Sequence, residues 1–189
     1  LDQFRVDGAR LNVAGFTNLT RDHLDYHGSM EAYFQAKARL FSDVLADDGI
    51  AVLNADVPEF EALAAICTAR KIKFLSYGYK SEDIRIISIS PGPTGQNVHA
   101  SIMGVAYSFP INLVGTFQIM NIMCALGMAV ALDPDSLESC IESLGSLEPV
   151  PGRLESITSA GDDYGVFVDY AHTSDALENA LDAIKPHVK

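Results

Sequence analysis

The chain has 189 residues, 48% of them hydrophobic and 20% charged, with a net charge of −12. That composition is globular rather than disordered, and the length allows one large domain or one domain and part of another. The acidic balance opposes nucleic-acid phosphates while leaving a nucleotide ligand open, since backbone amides and a bound cation outweigh global charge locally. With no basic-then-apolar leader and no apolar run of about 18 residues, secretion and membrane insertion are not expected.

The chain opens on Leu1 rather than Met, in what reads as the tail of a helix, so a piece of a longer protein is expected. Residues 11–19 (LNVAGFTNL) have the apolar character of a buried strand. After a polar stretch, Ser29 can cap a helix over about 30–46, with an inner stripe of Tyr33, Ala36, Lys37, Leu40, Phe41, Val44 and Leu45. Strands follow at 50–54 and 72–78, separated by a helix from Pro58 to about Ala69. Residues 84–110 alternate in three short runs divided by PGPTGQ and Gly104, the pattern of a small antiparallel sheet. Helices are predicted over about 117–131 and from Asp133 to about Leu144. The Pro/Gly-rich EPVPGR then marks a domain boundary near 152, giving domains 1–152 and 153–189. Beyond it lie strands in LESIT and GVFVDY, a turn at Gly161–Asp163, and a helix over about 174–185. The fold class is α/β: a mainly parallel sheet flanked by helices, a small antiparallel subsheet, and the start of a second, Rossmann-like unit.

Four places carry chemistry. Lys37 sits inside the apolar stripe of its helix, with Tyr33, Leu40, Phe41 and Val44 around it. Burial disfavours an ammonium and favours the neutral amine, which can add CO2 to give an anionic carbamate suited to a hard cation. The plainer alternative is a lysine snorkelling from the edge of the stripe. The second place is Asn18–Gly28, NLTRDHLDYHG, which follows a strand, where open α/β sheets place ligands. His23 and His27 are spaced like the zinc ligands of HExxH, but Leu24 stands where the glutamate would be, so a zinc hydrolase is a distant reading; a polar turn capped by Asp22 and Asp25 is the simpler one. The third is Asp169–Asp175, DYAHTSD, between a strand and a helix, where Thr173, Ser174 and Asp175 suit a helix N-terminus and an aspartate can take ribose hydroxyls. The fourth is Asn121, a polar residue in the apolar run of the long helix. No GxxxxGK[ST] loop occurs in the 189 residues, and Cys67, Cys124 and Cys140 read as unpaired thiols without chemistry.

In order and spacing these segments resemble the Mur ligase family, and within it the MurE-type, diamino-acid-adding branch. NLTRDHLDYHG with YFQAKARLF is similar to that family's metal-and-carbamate segment, and VPGRLE with VDYAHTSDALENAL to its hinge and the opening of its C-terminal domain. The resemblance implies a central ATP-binding domain lacking its P-loop part, then the start of the ligase domain. It implies His23 as a Mg2+ ligand, Lys37 as the carbamylated lysine, and Gln3 and Arg5 as holders of the UDP-sugar peptide. Asn121 would approach adenine, Arg153 and Asp169 would hold ribose and phosphate, and His172 would lie near the nucleotide. The implied activity joins meso-diaminopimelate, or L-lysine, to UDP-N-acetylmuramoyl-L-Ala-D-Glu through an acyl phosphate, using ATP and Mg2+. It also implies a cytoplasmic, monomeric protein of peptidoglycan biosynthesis, linked to cell shape and division, without nucleic-acid partners. Gln118 stands where the family has Asn, and Ser174 where it has Pro. The alternatives are a folylpolyglutamate synthetase-like ligase and a non-catalytic nucleotide- or partner-binding domain. Taken alone, the 189 residues are expected to be inactive.

Overall fold

A computed structural model of the chain describes residues 1–20, 24–92, 95–157 and 164–185. Six strands form one sheet in the order β1 (Leu11–Phe16), β2 (Leu45–Asn54), β3 (Lys73–Gly78), β4 (Ile84–Pro91), β5 (Gln96–Ile102) and β6 (Val105–Ile111). The first four are parallel neighbours, and β4–β5–β6 are antiparallel. The antiparallel strands expected over 84–110 are therefore present, joined edge-on to the parallel ones.

The alternation of side chains along the strands sets the layers. In β2, Ala51 and Leu53 face a core shared with Phe41, Leu63 and Cys67, whereas Val52 faces the opposite core with Tyr77, Ile84 and Met123. The first face is covered by α2 (Met30–Arg39) and α3 (Phe60–Arg70), the second by α4 (Thr116–Leu132) and α5 (Leu137–Leu144). A short helix, α1 (Leu24–His27), precedes α2.

The parallel step from β3 to β4 is made by Tyr79–Asp83, far too short for a helical crossover. Only two residue pairs join these strands, and a polar knot supports the turn: the Ser76 and Ser81 hydroxyls are 2.9 Å apart, and the Asp83 carboxylate accepts from Ser76 N–H and O–H, each at 2.7 Å.

Several expected boundaries move. Residues 1–9 are successive turns, not the end of a helix; Phe4, Asp7 and Ala9 amides each donate three residues back, and Phe4 has φ +57°. β1 stops at Phe16 instead of 19, because the carbonyls of Thr17 and Asn18 receive side-chain donors. The helix expected to reach 46 leaves α geometry after Arg39; Leu40–Val44 is a π-helical segment, and Leu45 already pairs with Leu11. The wider turn sinks Phe41 completely, and Leu45 must turn extended (ψ 132°) to join the sheet. Pro58 and Glu59 form the turn before α3 rather than its first residues. After the connector, β7 (Glu155–Ser156) and β8 (Phe167–Val168) form a two-residue antiparallel pair, followed by α6 (Ser174–Ile184). Thr173 caps α6 by accepting from the Ala176 amide at 3.2 Å. The turn predicted at 161–163 lies outside the described residues.

Candidate functional site

The carboxyl ends of β1, β2 and β3 lie on one edge of the sheet, and α4 runs back across it from that edge: Cys124 meets Gly15, while Ala131 and Leu132 reach the opposite edge near Arg10. Lys37 on α2 approaches this edge. It is half-buried; its Nζ donates to the Asn18 carbonyl at 3.1 Å and lies 5.1 Å from the Tyr33 ring and 5.8 Å from that of Phe16. His27 stacks on Tyr33 with ring centroids 4.7 Å apart. The lysine is therefore neither sealed in the core nor spread into bulk water, and the stripe that predicted its burial is real: Ala36, Phe41 and Leu45 are core residues.

A cavity of about 560 Å³ opens beside it, lined by Leu1, Asp2, Gln3, Arg5, Tyr26, His27, Tyr33, Ala36 and Lys37. Gln3 and Arg5 reach it because Arg39 ties the leading segment to α2. Its guanidinium donates to the Leu1 carbonyl at 2.5 Å and to Asp7 at 3.2 Å, and lies 4.3 Å from the Phe4 ring. The sequence shows only the local partner of Arg39, Asp43 four residues on, at 3.0 Å; Leu1 and Asp7, which tie down the leading segment, are more than thirty residues away. His23 lies outside the described residues. Among the described residues no group of three or more His, Cys, Asp or Glu gathers as a metal site. A hard cation here would need oxygen donors, and a carbamate on Lys37 would supply two.

The second cluster joins the start of α4 to the connector. Gly115, with φ +98°, lets α4 start against α6; a Cβ there would lie 2.9 Å from the Ala183 methyl. The buried Gln96 amide fixes the approach, donating to the carbonyls of Leu113 (2.9 Å) and Gly115 (3.1 Å). Gln118 donates to the Arg153 carbonyl at 3.3 Å, and Asn121 is exposed on the next turn of the same helix. The Arg153 guanidinium lies over Tyr170, 5.0 Å from the ring centroid. Asp169 accepts from the Leu154 amide and the Ala171 amide, both at 2.8 Å, so each carboxylate oxygen already holds a backbone N–H. His172 Nδ1 is 2.9 Å from the Tyr170 carbonyl, and its ring meets Tyr170 edge-on at 5.0 Å. Gln118, Arg153, Asp169 and His172 are thus linked through the connector and Tyr170, and Asn121 lies one turn further along α4. Asp169 has the further task, invisible in the sequence, of holding the connector where Leu154 adopts φ +47°.

The sequence profile of the Mur ligase middle domain matches residues 1–129. The chain belongs to the Mur ligase family. It is 41% identical, over all 189 residues, to a UDP-N-acetylmuramoyl-L-alanyl-D-glutamate–2,6-diaminopimelate ligase of Zymomonas mobilis, covering 39% of that protein. Among solved structures, another such diaminopimelate ligase superposes with a TM-score of 0.80 at 31% identity, over 99% of this chain and 38% of that one. Two more distant structures share the fold. MurF from Thermotoga maritima, in complex with ADP, has a TM-score of 0.79 at 20% identity, over 94% of this chain and 40% of its own. The apo form of L. casei FPGS has 0.76 at 19%, over 94% and 43%. The chain thus spans about two fifths of the length of the Mur ligase relatives it matches.

In this Mur ligase chain the three cysteines are thiols, Cys67 and Cys124 buried and Cys140 partly so, and burial pushes both buried thiols up from the ordinary range. No described helix is long and apolar enough to cross a membrane.

Proposed function

We propose that the chain is the central part and hinge of a MurE-type ligase, with residues 1–152 belonging to the ATP-binding domain and 153–189 opening the ligase domain. The whole enzyme would join meso-diaminopimelate, or L-lysine, to UDP-N-acetylmuramoyl-L-Ala-D-Glu in the cytoplasm, forming ADP and phosphate. What carries this reading is that Gln3, Arg5 and Lys37, far apart in sequence, line one cavity at the ligand-binding edge of the sheet. The 41% identity along the full chain supports the diaminopimelate branch over the folylpolyglutamate one, where the likeness is in fold.

Lys37, oriented by the Asn18 carbonyl, fits a hard cation once the lysine carries CO2. The neutral amine adds to the CO2 carbon, one C=O electron pair moves to oxygen, and the nitrogen releases a proton to solvent. One N–H remains and can still donate to the Asn18 carbonyl. The carbamate and His23 would hold Mg2+, which when bound offsets the charge of crowded phosphates and carboxylate. Arg5 and Gln3 would orient the acidic dipeptide so that its D-glutamyl carboxylate meets the γ-phosphate of ATP, giving an acyl phosphate that the incoming amine opens to an amide. On the other side, Asn121, Arg153, Asp169 and His172 would receive adenine, ribose and phosphate. The chain's residues contribute binding and orientation, which count for much of the barrier in such a transfer.

The test is Lys37→Ala in the intact enzyme, assayed for ADP release with the UDP-linked dipeptide and diaminopimelate. Turnover is expected to fall by at least about a hundredfold. Undiminished turnover would overturn the assignment.

A further inference from the structure

Three consecutive backbone carbonyls at the end of β1 each receive a side-chain donor from a different element. The Phe16 carbonyl accepts from the Tyr77 hydroxyl of β3 at 3.1 Å, the Thr17 carbonyl from the Asn54 amide of β2 at 2.8 Å, and the Asn18 carbonyl from Lys37 Nζ of α2 at 3.1 Å. Tyr77 is fully buried and Asn54 is 6% exposed. Asn54 is itself held: its Oδ1 accepts the Asp56 amide at 2.9 Å, and the Asp56 carboxylate accepts the amides of Tyr79 (2.8 Å) and Lys80 (2.9 Å). Gly78, at φ +124°, makes room for this, because a Cβ there would collide with the Asp56 carboxylate and lie 3.3 Å from Asn54 Oδ1.

We infer that Asn54, supported by Tyr77, is a positioning residue for Lys37: it fixes the peptide whose next carbonyl holds the lysine nitrogen and so sets where that nitrogen can carry CO2. The inference rests on the Lys37 reading proposed above. Amide orientation is what matters. The carboxylate of an Asn54→Asp variant keeps the acceptor toward Asp56 N–H but loses the donor toward Thr17 and sets two oxygens against each other. Groups that orient a ligating side chain typically change its function by about 10- to 100-fold when removed.

The experiment uses the intact enzyme, with Asn54→Asp and Tyr77→Phe, loaded with 13C-bicarbonate and followed by the carbamate carbon resonance, and in parallel by the Mg2+ dependence of ADP release. Asn54→Asp is expected to need about tenfold more bicarbonate and Mg2+ for half-saturation, and Tyr77→Phe about threefold more, each with a smaller change in KM for ATP. Tyr77→Phe removes one hydroxyl and keeps the ring, so it reads the effect even where Asn54→Asp does not fold. If Lys37→Ala is inactive while both variants keep the parent bicarbonate and Mg2+ curves, the positioning role is wrong and the Lys37 reading stands. If Lys37→Ala is fully active, the reading fails and this inference falls with it.

Discussion

Tyr77 is fully buried, and burial pushes its phenol far above the ordinary tyrosine range, with Cys124 and Asp56 adding to the shift. The folded value lies above the unfolded one, so the neutral phenol's contribution to stability is complete below about pH 10 and is lost as the pH rises beyond it. Urea unfolding from about pH 9 to 11 is expected to show a steep alkaline fall in the parent and a shallower one in Tyr77→Phe; equal slopes would contradict the assignment. At this scale the sequence read well where a local pattern broke. Lys37 stood out because a cation interrupted a 3.6-residue apolar stripe. Asn54, Arg39 and Tyr77 did not stand out, because each looks ordinary among its neighbours and acquires its meaning from partners 37, 38 and 61 residues away.

The helices and strands follow from periodicity, and their ends from contacts that periodicity does not contain. Ser29 caps α2 as its side chain predicts, accepting from the Ala32 amide at 3.1 Å. The π-helical turn after Arg39 was not legible, since it arises where Phe41 must sink between β1 and α3 while Leu45 joins the sheet. α4 shows how closely an element fits its sheet. A Cβ at Gly127 would lie 2.8 Å from a Val52 methyl and 3.1 Å from Ile84 Cδ1, both fully buried. Gly127→Ala would gain about 1 kcal/mol in helix propensity but cost roughly 1–3 kcal/mol in overpacking. A net loss of about 1 kcal/mol is expected in urea unfolding at constant m-value, and a gain in stability would show that α4 sits more loosely than described.

For the whole molecule, the two clusters are built by different means. The Lys37 cavity is made by residues from Leu1 to Lys37, whereas the Gln118–Arg153–Asp169 junction needs the connector and α6 laid against α4. The 189 residues hold no GxxxxGK[ST] loop, the element that wraps the terminal phosphates of ATP in P-loop proteins. The chain on its own is therefore expected to release no ADP above background with ATP, Mg2+ and both co-substrates; steady turnover would mean that phosphate binding is supplied by other residues.

By itself the sequence determined the α/β class, the run of strands and helices, and the polar segments after β1 and β8. These depend on which residues repeat at intervals of two or three to four, and such intervals are local. Only the tertiary structure decided that Gln3 and Arg5 meet Lys37, that three side chains hold three successive carbonyls, and that Asp169 pins the connector. Those are meetings of groups distant along the chain, and their geometry is set by sheet register and helix packing, which no single window of sequence contains.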